Sequence, residues 1–334
     1  MLDNDKNFNN IKIHTQYSIC EGAIKIDELA EYCKTNKIKS LGLADSYNLC
    51  GALEFSEKLS KAGTQPIIGT QINLRVQNII GKITLYATSE QGFKNLTKLS
   101  SLSYLKNNET DDPSCDLDEL ISNNKDLILL TGNYKNFFGK LFFLNKIKNF
   151  EETITLLKSH FNDRIYFEIQ RHNENGEKNF ENYLLNYSKT LNTPLIATQE
   201  VYYLNPNMSE AHDALTCIGE KNFVDDKNRF KYSDQHYFKK KDELSELYSD
   251  IPEALENNYN FHLRFNFKPK KSKPILPSIA NEQSNSPEIE LMSQAKEGLK
   301  NRINNFILKK NTTKTIKKRL TNAIKNTIKT IKNR

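Results

Sequence analysis

A chain of 334 residues with 37% apolar residues, eighteen Phe and fifteen Tyr can bury one large core plus a smaller unit, or build a single barrel. It contains no apolar run of the roughly 18 residues a membrane-crossing helix needs, and its first residues are too polar and too acidic for a secretory leader, so it reads as cytoplasmic. The net charge of +7 is local: residues 309–334 carry ten Lys or Arg and no acid, leaving 38 basic and 41 acidic groups, a charge of −3, for residues 1–308.

Short apolar runs alternate with amphipathic stretches from the start. Ile11–His14 reads as a strand and Ile26–Asn36 as a helix, with Asp27 and Glu28 placed where they favour the helix dipole. Ser40–Ala44 is the next strand, and Ala52–Ala62 a helix stopped by Gly63. Pro66–Leu74 and Lys82–Ala87 read as strands joined by a polar turn at 78–81, followed by a helix over Gly92–Tyr104. After a polar insert, Lys106–Asp116, the expected elements are a strand at Leu127–Leu130 and helices at Phe137–Phe150 and Glu151–His160. A strand at Arg164–Ile169, a helix at Lys178–Leu191 and a strand at Pro194–Ala197 complete the series. Such alternation implies an α/β fold of parallel strands with right-handed crossovers. About seven units fit either a closed, distorted (β/α) barrel or an open doubly wound sheet.

The strands stop near residue 205. Met208–Ile218, Lys241–Tyr248 and Pro252–Phe261 read as helices, making 206–267 a helical segment. Lysines and spaced prolines mark 268–287 as a linker, and 288–308 reads as one amphipathic helix with Ile289, Met292, Ala295, Leu299, Ile303 and Phe306 on one face. Residues 309–334 use almost only Lys, Asn, Thr, Ile, Arg, Leu and Ala, the bias that adenine-rich codons give. They read either as a truncated or frame-shifted end or as a basic helix. Lys270, Lys271, Lys273, Lys317, Lys318 and Arg319 are the candidate contacts to a nucleic-acid backbone. The five cysteines form no CxxC pair and read as reduced thiols.

The stretch His14-Thr15-Gln16-Tyr17-Ser18-Ile19-Cys20-Glu21-Gly22, with Leu43-Ala44-Asp45-Ser46-Tyr47-Asn48 and Pro66-Ile67-Ile68-Gly69-Thr70-Gln71, resembles the PHP (polymerase and histidinol phosphatase) domain that opens bacterial DNA polymerase III alpha subunits. Asp225–Phe230, Gln235–Lys239, Ile251–Asn258, Leu276-Pro277 and Ala295–Leu299 extend the resemblance to roughly residues 10–308. It implies an irregular seven-stranded barrel (residues 1–205), the helical segment, and at 288–308 a helix leading into the polymerase palm.

Metal-binding PHP domains hold up to three ions at the C-terminal ends of the strands, where the metals generate hydroxide and clamp phosphate. His-x-His stands here as Lys12-Ile13-His14, and the Asp-His pair as Asp45-Ser46. The third strand ends in Gly69-Thr70-Gln71 in place of Gly-Cys-Glu, and a Gly-Cys pair becomes Gly132-Asn133. Arg-His-Gly becomes Arg171-His172-Asn173, and Asp-x-His becomes Glu200-Val201-Tyr202. His14, Asp45, His172 and Glu200 remain as possible ligands; Lys12, Ser46, Gln71, Asn133 and Tyr202 occupy the other positions. Two carboxylates and an intruding ammonium argue against a cluster of divalent ions. Lys12 is expected to replace the metal as a cation, paired with Asp45 or Glu200, or else to point to solvent. His160, His212, His236 and His262 read as ordinary structural or surface groups, without companions at ligand spacing.

The resemblance therefore implies a degenerate, structural PHP module of a DNA-directed DNA polymerase, a nucleotidyltransferase of DNA replication. The magnesium-binding palm aspartates of that family lie downstream, so this chain alone is expected to be inactive, with no cofactor and no catalytic residue of its own. The implied partners are the palm, thumb and fingers, a proofreading exonuclease, and DNA held weakly by the tail; no membrane is implied. Two other readings stand beside it: a metal-dependent phosphoesterase or 3′–5′ exonuclease holding one weakly bound zinc or manganese, and a nucleic-acid-binding fragment with a basic tail.

Overall fold

The computed structural model describes residues 7–106, 112–274 and 286–308, with residues 318, 319, 321–323, 325 and 326 as helical positions. Two compact units divide the chain, Met1–Lys271 and Ser272–Arg334. The expected Leu276-Pro277 motif, most of the linker, and Lys317 lie outside the described residues.

The first unit runs β1 (Lys12–Ile13), α1 (Ile26–Asn36), β2 (Ser40–Leu43), α2 (Ala52–Lys61), β3 (Gln65–Val76), β4 (Ile79–Ala87), α3 (Glu90–Leu105), β5 (Ser114–Asp116), α4 (Leu117–Ser122) and β6 (Leu127–Leu130). It continues with α5 (Phe137–Phe143), α6 (Ile147–Phe161), β7 (Ile165–Ile169), α7 (Glu177–Leu191), β8 (Leu195–Ala197), β9 (Glu200–Val201), α8 (Ser209–Glu220), α9 (Lys241–Leu247) and α10 (Pro252–Phe261). The strands pair in the order β8-β7-β6-β4-β3-β2-β1-β9, with β5 added to β3. The two ends of that path, β8 and β9, are one stretch of chain interrupted only at Thr198 and Gln199. The sheet thus curls until its last stretch pairs with β7 at one end and with β1 at the other. Seven positions line the curl: β1, β2, β3, β4, β6, β7 and the β8–β9 stretch.

The structure departs from four local expectations. The strands are not all parallel: β4 runs antiparallel to both β3 and β6, because a two-residue turn joins β3 to β4. That turn is Gln77-Asn78 and not 78–81, with Gln77 at φ 52°. Gly81 lies within β4, where a Cβ would stand 2.5 Å from the Phe137 Cα. The helix expected over Phe137–Phe150 ends at Phe143, because Asn145 turns left-handed (φ 53°), a conformation asparagine tolerates. Finally, Ser114–Asp116, expected inside a polar insert, forms a short strand on β3.

Side-chain alternation sorts the sheet into two faces. Outward residues such as Leu41, Leu43, Ile72, Leu85, Leu129 and Phe167 pack under the helices. Inward residues begin as an apolar layer of Ile67, Tyr86, Ile128, Tyr166 and Ile196, closed from below by Phe261 and Phe265. The Tyr86 and Phe261 rings meet edge to face at 5.6 Å. Asn258 of α10 anchors this plug: its Oδ1 accepts from Asn9 N at 2.8 Å, and its Nδ2 donates to Asn9 O at 3.0 Å and Ala197 O at 2.9 Å. Toward the C-terminal ends of the parallel strands the inward residues turn polar: Lys12, Gln71, Lys82, Glu168, Gln170 and Glu200. Tertiary burial at one end and charge at the other define a floor and a mouth.

In the second unit α11 (Pro287–Arg302) begins at Ser286, whose Oγ accepts from Ile289 N, and continues as a π-helical turn over Ile303–Leu308. Its Ile289, Met292 and Leu299 are exposed. Among the described residues, no helix is long and apolar enough to cross a membrane.

Candidate functional site

Glu200 is the centre of the mouth. Its Oε1 accepts from Gln71 Nε2 at 2.6 Å, lies 3.1 Å from His14 Nε2, and stands 3.5 Å from the Lys12 ammonium. Its Oε2 accepts from Asn133 Nδ2 at 3.2 Å. Three positions expected to replace metal ligands, Lys12, Gln71 and Asn133, therefore converge on one carboxylate as donors or as a charge. Burial works against the ionised Glu200, but the Lys12 ammonium, followed by His14, outweighs it and holds this carboxyl well below its ordinary range.

Lys12 does not point to solvent; it is fully buried. Its nearest partner is Glu168 Oε1 at 3.0 Å, which the sequence reading did not single out. It meets both carboxylates as a charge, without well-aligned hydrogen bonds. Glu168 completes its own shell with Gly132 N (3.0 Å), Gln170 Nε2 (2.5 Å) and the Thr198 hydroxyl. A charged residue inside the apolar run Ile165–Ile169 is the signal that marks it, since strand alternation turns Glu168 inward with Tyr166.

Asp45, the other expected partner of Lys12, is occupied elsewhere. It accepts from Thr15 N (2.6 Å), Ser18 Oγ (2.7 Å) and Thr15 Oγ1 (2.7 Å). Burial raises its carboxyl above the usual value, and the hydrogen bonds offset this only in part. His172 is likewise engaged. Its Nε2 accepts from Glu200 N at 3.2 Å and its Nδ1 faces Glu177 Oε1 at 3.3 Å. Burial takes it down to about 4. Its ring stacks on His236 at 4.0 Å and 6°, so His236 has a companion that sequence spacing did not reveal. Burial, then His172, brings His236 to about 4 as well.

A second cation enters from β4. Lys82 Nζ donates to Glu21 Oε1 at 2.7 Å and to Ser46 Oγ at 3.0 Å, while Ser46 Oγ donates to Glu21 Oε2 at 2.5 Å. Burial disfavours both charges; their attraction prevails, lowering Glu21 and raising Lys82. Tyr202 stacks on His14 at 4.5 Å. His212 Nε2 lies 2.8 Å from Glu21 O, and His262 Nδ1 2.9 Å from Tyr259 O, in structural roles. His160 is exposed at the end of α6.

A divalent ion needs ligand lone pairs converging on one vacant point. Here the lone pairs of His172, Asp45 and Glu200 are taken by protein donors, and two ammonium groups lie among the anions. Among the described residues, no group of three His, Cys, Asp or Glu side chains could hold a metal ion. The residues present do not fit a metal cluster. Away from the mouth, Lys271 pairs with Glu57 at 3.0 Å, while Lys270, Lys273, Lys318 and Arg319 are exposed.

Residues 10–172 match the model of the PHP domain. The chain is similar to the DNA polymerase III subunit alpha of Caulobacter vibrioides, with 35% identity over 90% of this chain and 27% of that protein. It is also similar to the Rickettsia conorii subunit, with 34% identity over 87% and 25%. The chain thus spans about a quarter of the length of these curated relatives. Among solved structures, a two-domain Bacteroides vulgatus protein carrying a PHP-like region matches with a TM-score of 0.37 and 10% identity, covering 71% of this chain and 62% of that one.

Proposed function

We propose, from the premise that this chain carries a PHP domain homologous to a quarter of DNA polymerase III subunit alpha, that it is a structural module of a replicative polymerase whose metal site has been replaced by protein donors. The observation that carries this reading is the shell around Glu200, with Lys12 between Glu168 and Glu200 where a cation would be needed to neutralise them. The internal salt links satisfy the carboxylates permanently, so the domain holds its shape without an ion. In this role it supports the palm and thumb of a cytoplasmic, DNA-directed DNA polymerase, offers a face to a proofreading exonuclease, and contributes weak DNA contact through its basic tail. Magnesium-dependent nucleotidyl transfer belongs to the palm.

The test is elemental analysis after exposure to zinc and manganese and exhaustive dialysis, with phosphatase activity measured beside it. The structural role predicts substoichiometric metal and no activity above that of the Asp45→Asn variant. Retained metal together with activity that Asp45→Asn abolishes would establish a phosphoesterase instead.

A further inference from the structure

The floor of the sheet, opposite the mouth, gathers basic residues from three separate stretches of chain. Lys34 and Lys37 stand at the corner between α1 and β2, Lys61 at the end of α2, and Lys268 and Lys270 in the extended segment after α10; all five are exposed. Hydrogen bonds hold the stretches side by side. Thr64 Oγ1 donates to Ile38 O at 2.8 Å and Gln65 N to Lys39 O at 2.8 Å, joining the first two corners. Ser56 Oγ of α2 donates to Pro269 O at 3.1 Å, and Lys268 Nζ donates to Ser60 Oγ at 3.0 Å, which lays the third stretch along α2.

The acids of this corner are already engaged. Lys25 pairs with Glu28, Lys58 with Asp27 and Glu54, and Lys271 with Glu57. Of the acids on α1 and α2, that leaves Glu31 against the five lysines, none of which meets a carboxylate in ion-pair range among the described residues. Lys34 and Lys61 sit in the last turns of α1 and α2, where they complement the helix dipoles. Lys268 and Lys270 lie in extended chain and cap no helix, yet they are fastened beside α2, adding positive charge where the dipoles are already met. A cleft of about 400 Å³ lies beside them, lined in part by Gly63, Thr64, Asn266 and Lys268. Gly63 has no atom within 4 Å of where a Cβ would stand, so the cleft is open on that side.

We propose that this floor corner is a DNA-binding face in its own right, with Lys37, Lys61, Lys268 and Lys270 each meeting a phosphate of a duplex. Packed helices such as α1 and α2 stand about 8–10 Å apart, the scale of duplex grooves of about 6–12 Å flanked by phosphate rows. Polar groups lie between the lysines, and no large apolar side chain is exposed over residues 34–37, 61–63 and 266–270, which favours a phosphate backbone over a membrane surface. The choice of DNA as occupant rests on the proposed role as a polymerase module. Metal found at the mouth would defeat the structural role of that module and leave this face untouched.

Fluorescence anisotropy of the full chain with a duplex of about 30 base pairs, between about 50 and 200 mM salt, tests it. Lys37→Gln, Lys61→Gln, Lys268→Gln and Lys270→Gln combined should lower the slope of log affinity against log salt by about 3 and weaken binding about tenfold or more at about 0.1 M salt. The pair Lys37→Gln with Lys61→Gln, and the pair Lys268→Gln with Lys270→Gln, should each give about half the fall in slope. Melting temperatures should stay within about 2 °C of the wild type, since all four side chains are exposed. A matched set at exposed lysines elsewhere, Lys125→Gln, Lys178→Gln, Lys189→Gln and Lys227→Gln, removes the same charge and should change the slope by less than about 1. The basic tail is present in every protein compared, so its contribution cancels. An unchanged slope in the first set overturns the proposal, and so do equal losses in both sets, which would reduce the effect to net charge. Tighter binding to phosphatidylserine vesicles than to the duplex, with the same lysine dependence, would make the face a membrane contact and overturn it as well.

Discussion

Replacing Lys12 by Met keeps most of the side-chain volume and removes only the charge. The ammonium it removes sits 3.0 Å from Glu168 and 3.5 Å from Glu200, with side-chain exposures of 0%, 0% and 5%. Breaking a buried ion pair from one side costs about 3–5 kcal/mol, because the surviving charge stays desolvated. For a unit of 271 residues the unfolding entropy is roughly 0.57 kcal/mol/K, so the expected fall in Tm is about 5–9 °C at pH 7. Circular dichroism melts of the wild type and Lys12→Met would read it. The pH dependence supplies a second arm. In the wild type the depressed Glu200 carboxyl contributes stability above its unfolded value of about 4.3, lost as pH falls through the folded value. In the variant, protonation relieves the unpaired carboxylates, so the gap between the two proteins should narrow toward about pH 4. Adding Glu168→Gln and Glu200→Gln to Lys12→Met should recover most of the loss. A fall below about 2 °C, unchanged between pH 7 and 4, would show that Lys12 does not neutralise this site.

Asn258→Ala should cost about 3 kcal/mol in denaturant melts, since it strands the Asn9 amide and carbonyl and the Ala197 carbonyl under the plug; a loss under about 1 kcal/mol would detach α10 from the account. Gly132→Ala combines a left-handed backbone with a Cβ 2.4 Å from Asn136 Nδ2, and should cost about 2 kcal/mol or more, against near-neutrality if the loop relaxes freely. His172 and His236, at about 4 in the folded chain, remain neutral while the unfolded chain takes up protons below about 6.5; stability should therefore decline from about pH 6.5 to 4 by a few kcal/mol, before the depressed Glu200 and Glu174 contribute. His236→Asn should flatten that decline, and an unaltered slope would locate it elsewhere.

Most of the frame was legible because burial writes itself into short strands. Leu127–Leu130 and Ile26–Asn36 match their expected bounds residue for residue, each being a clean apolar run or a clean helical period. The antiparallel course of β4 follows from a turn whose residues, Gln77 and Asn78, carry no glycine at the bend, so its tight geometry had no strong local signal. At the mouth, four positions carried over from family motifs do gather: Lys12, His14, Gln71 and Asn133 lie within hydrogen-bonding or ion-pair range of the Glu200 carboxylate. Glu168, Lys82 and His236 were not anticipated, because motif matching asks which ligands are missing and not which side chains have moved into their place. Lys82 and Glu21 lie 61 residues apart and meet only when β4 folds beside the N-terminal loop. Long-range ion pairs of this kind leave no trace in local spacing.

Protein donors, and one ammonium above all, are proposed to occupy the place of a metal cluster. Anomalous diffraction from crystals soaked in manganese and in zinc tests it most directly. The Lys12 ammonium should stand between Glu168 and Glu200, with Gln71 and Asn133 still on Glu200 and no anomalous peak at the mouth. Two or more ordered ions coordinated by His14, Asp45, His172 and Glu200, with Lys12 displaced, would contradict it.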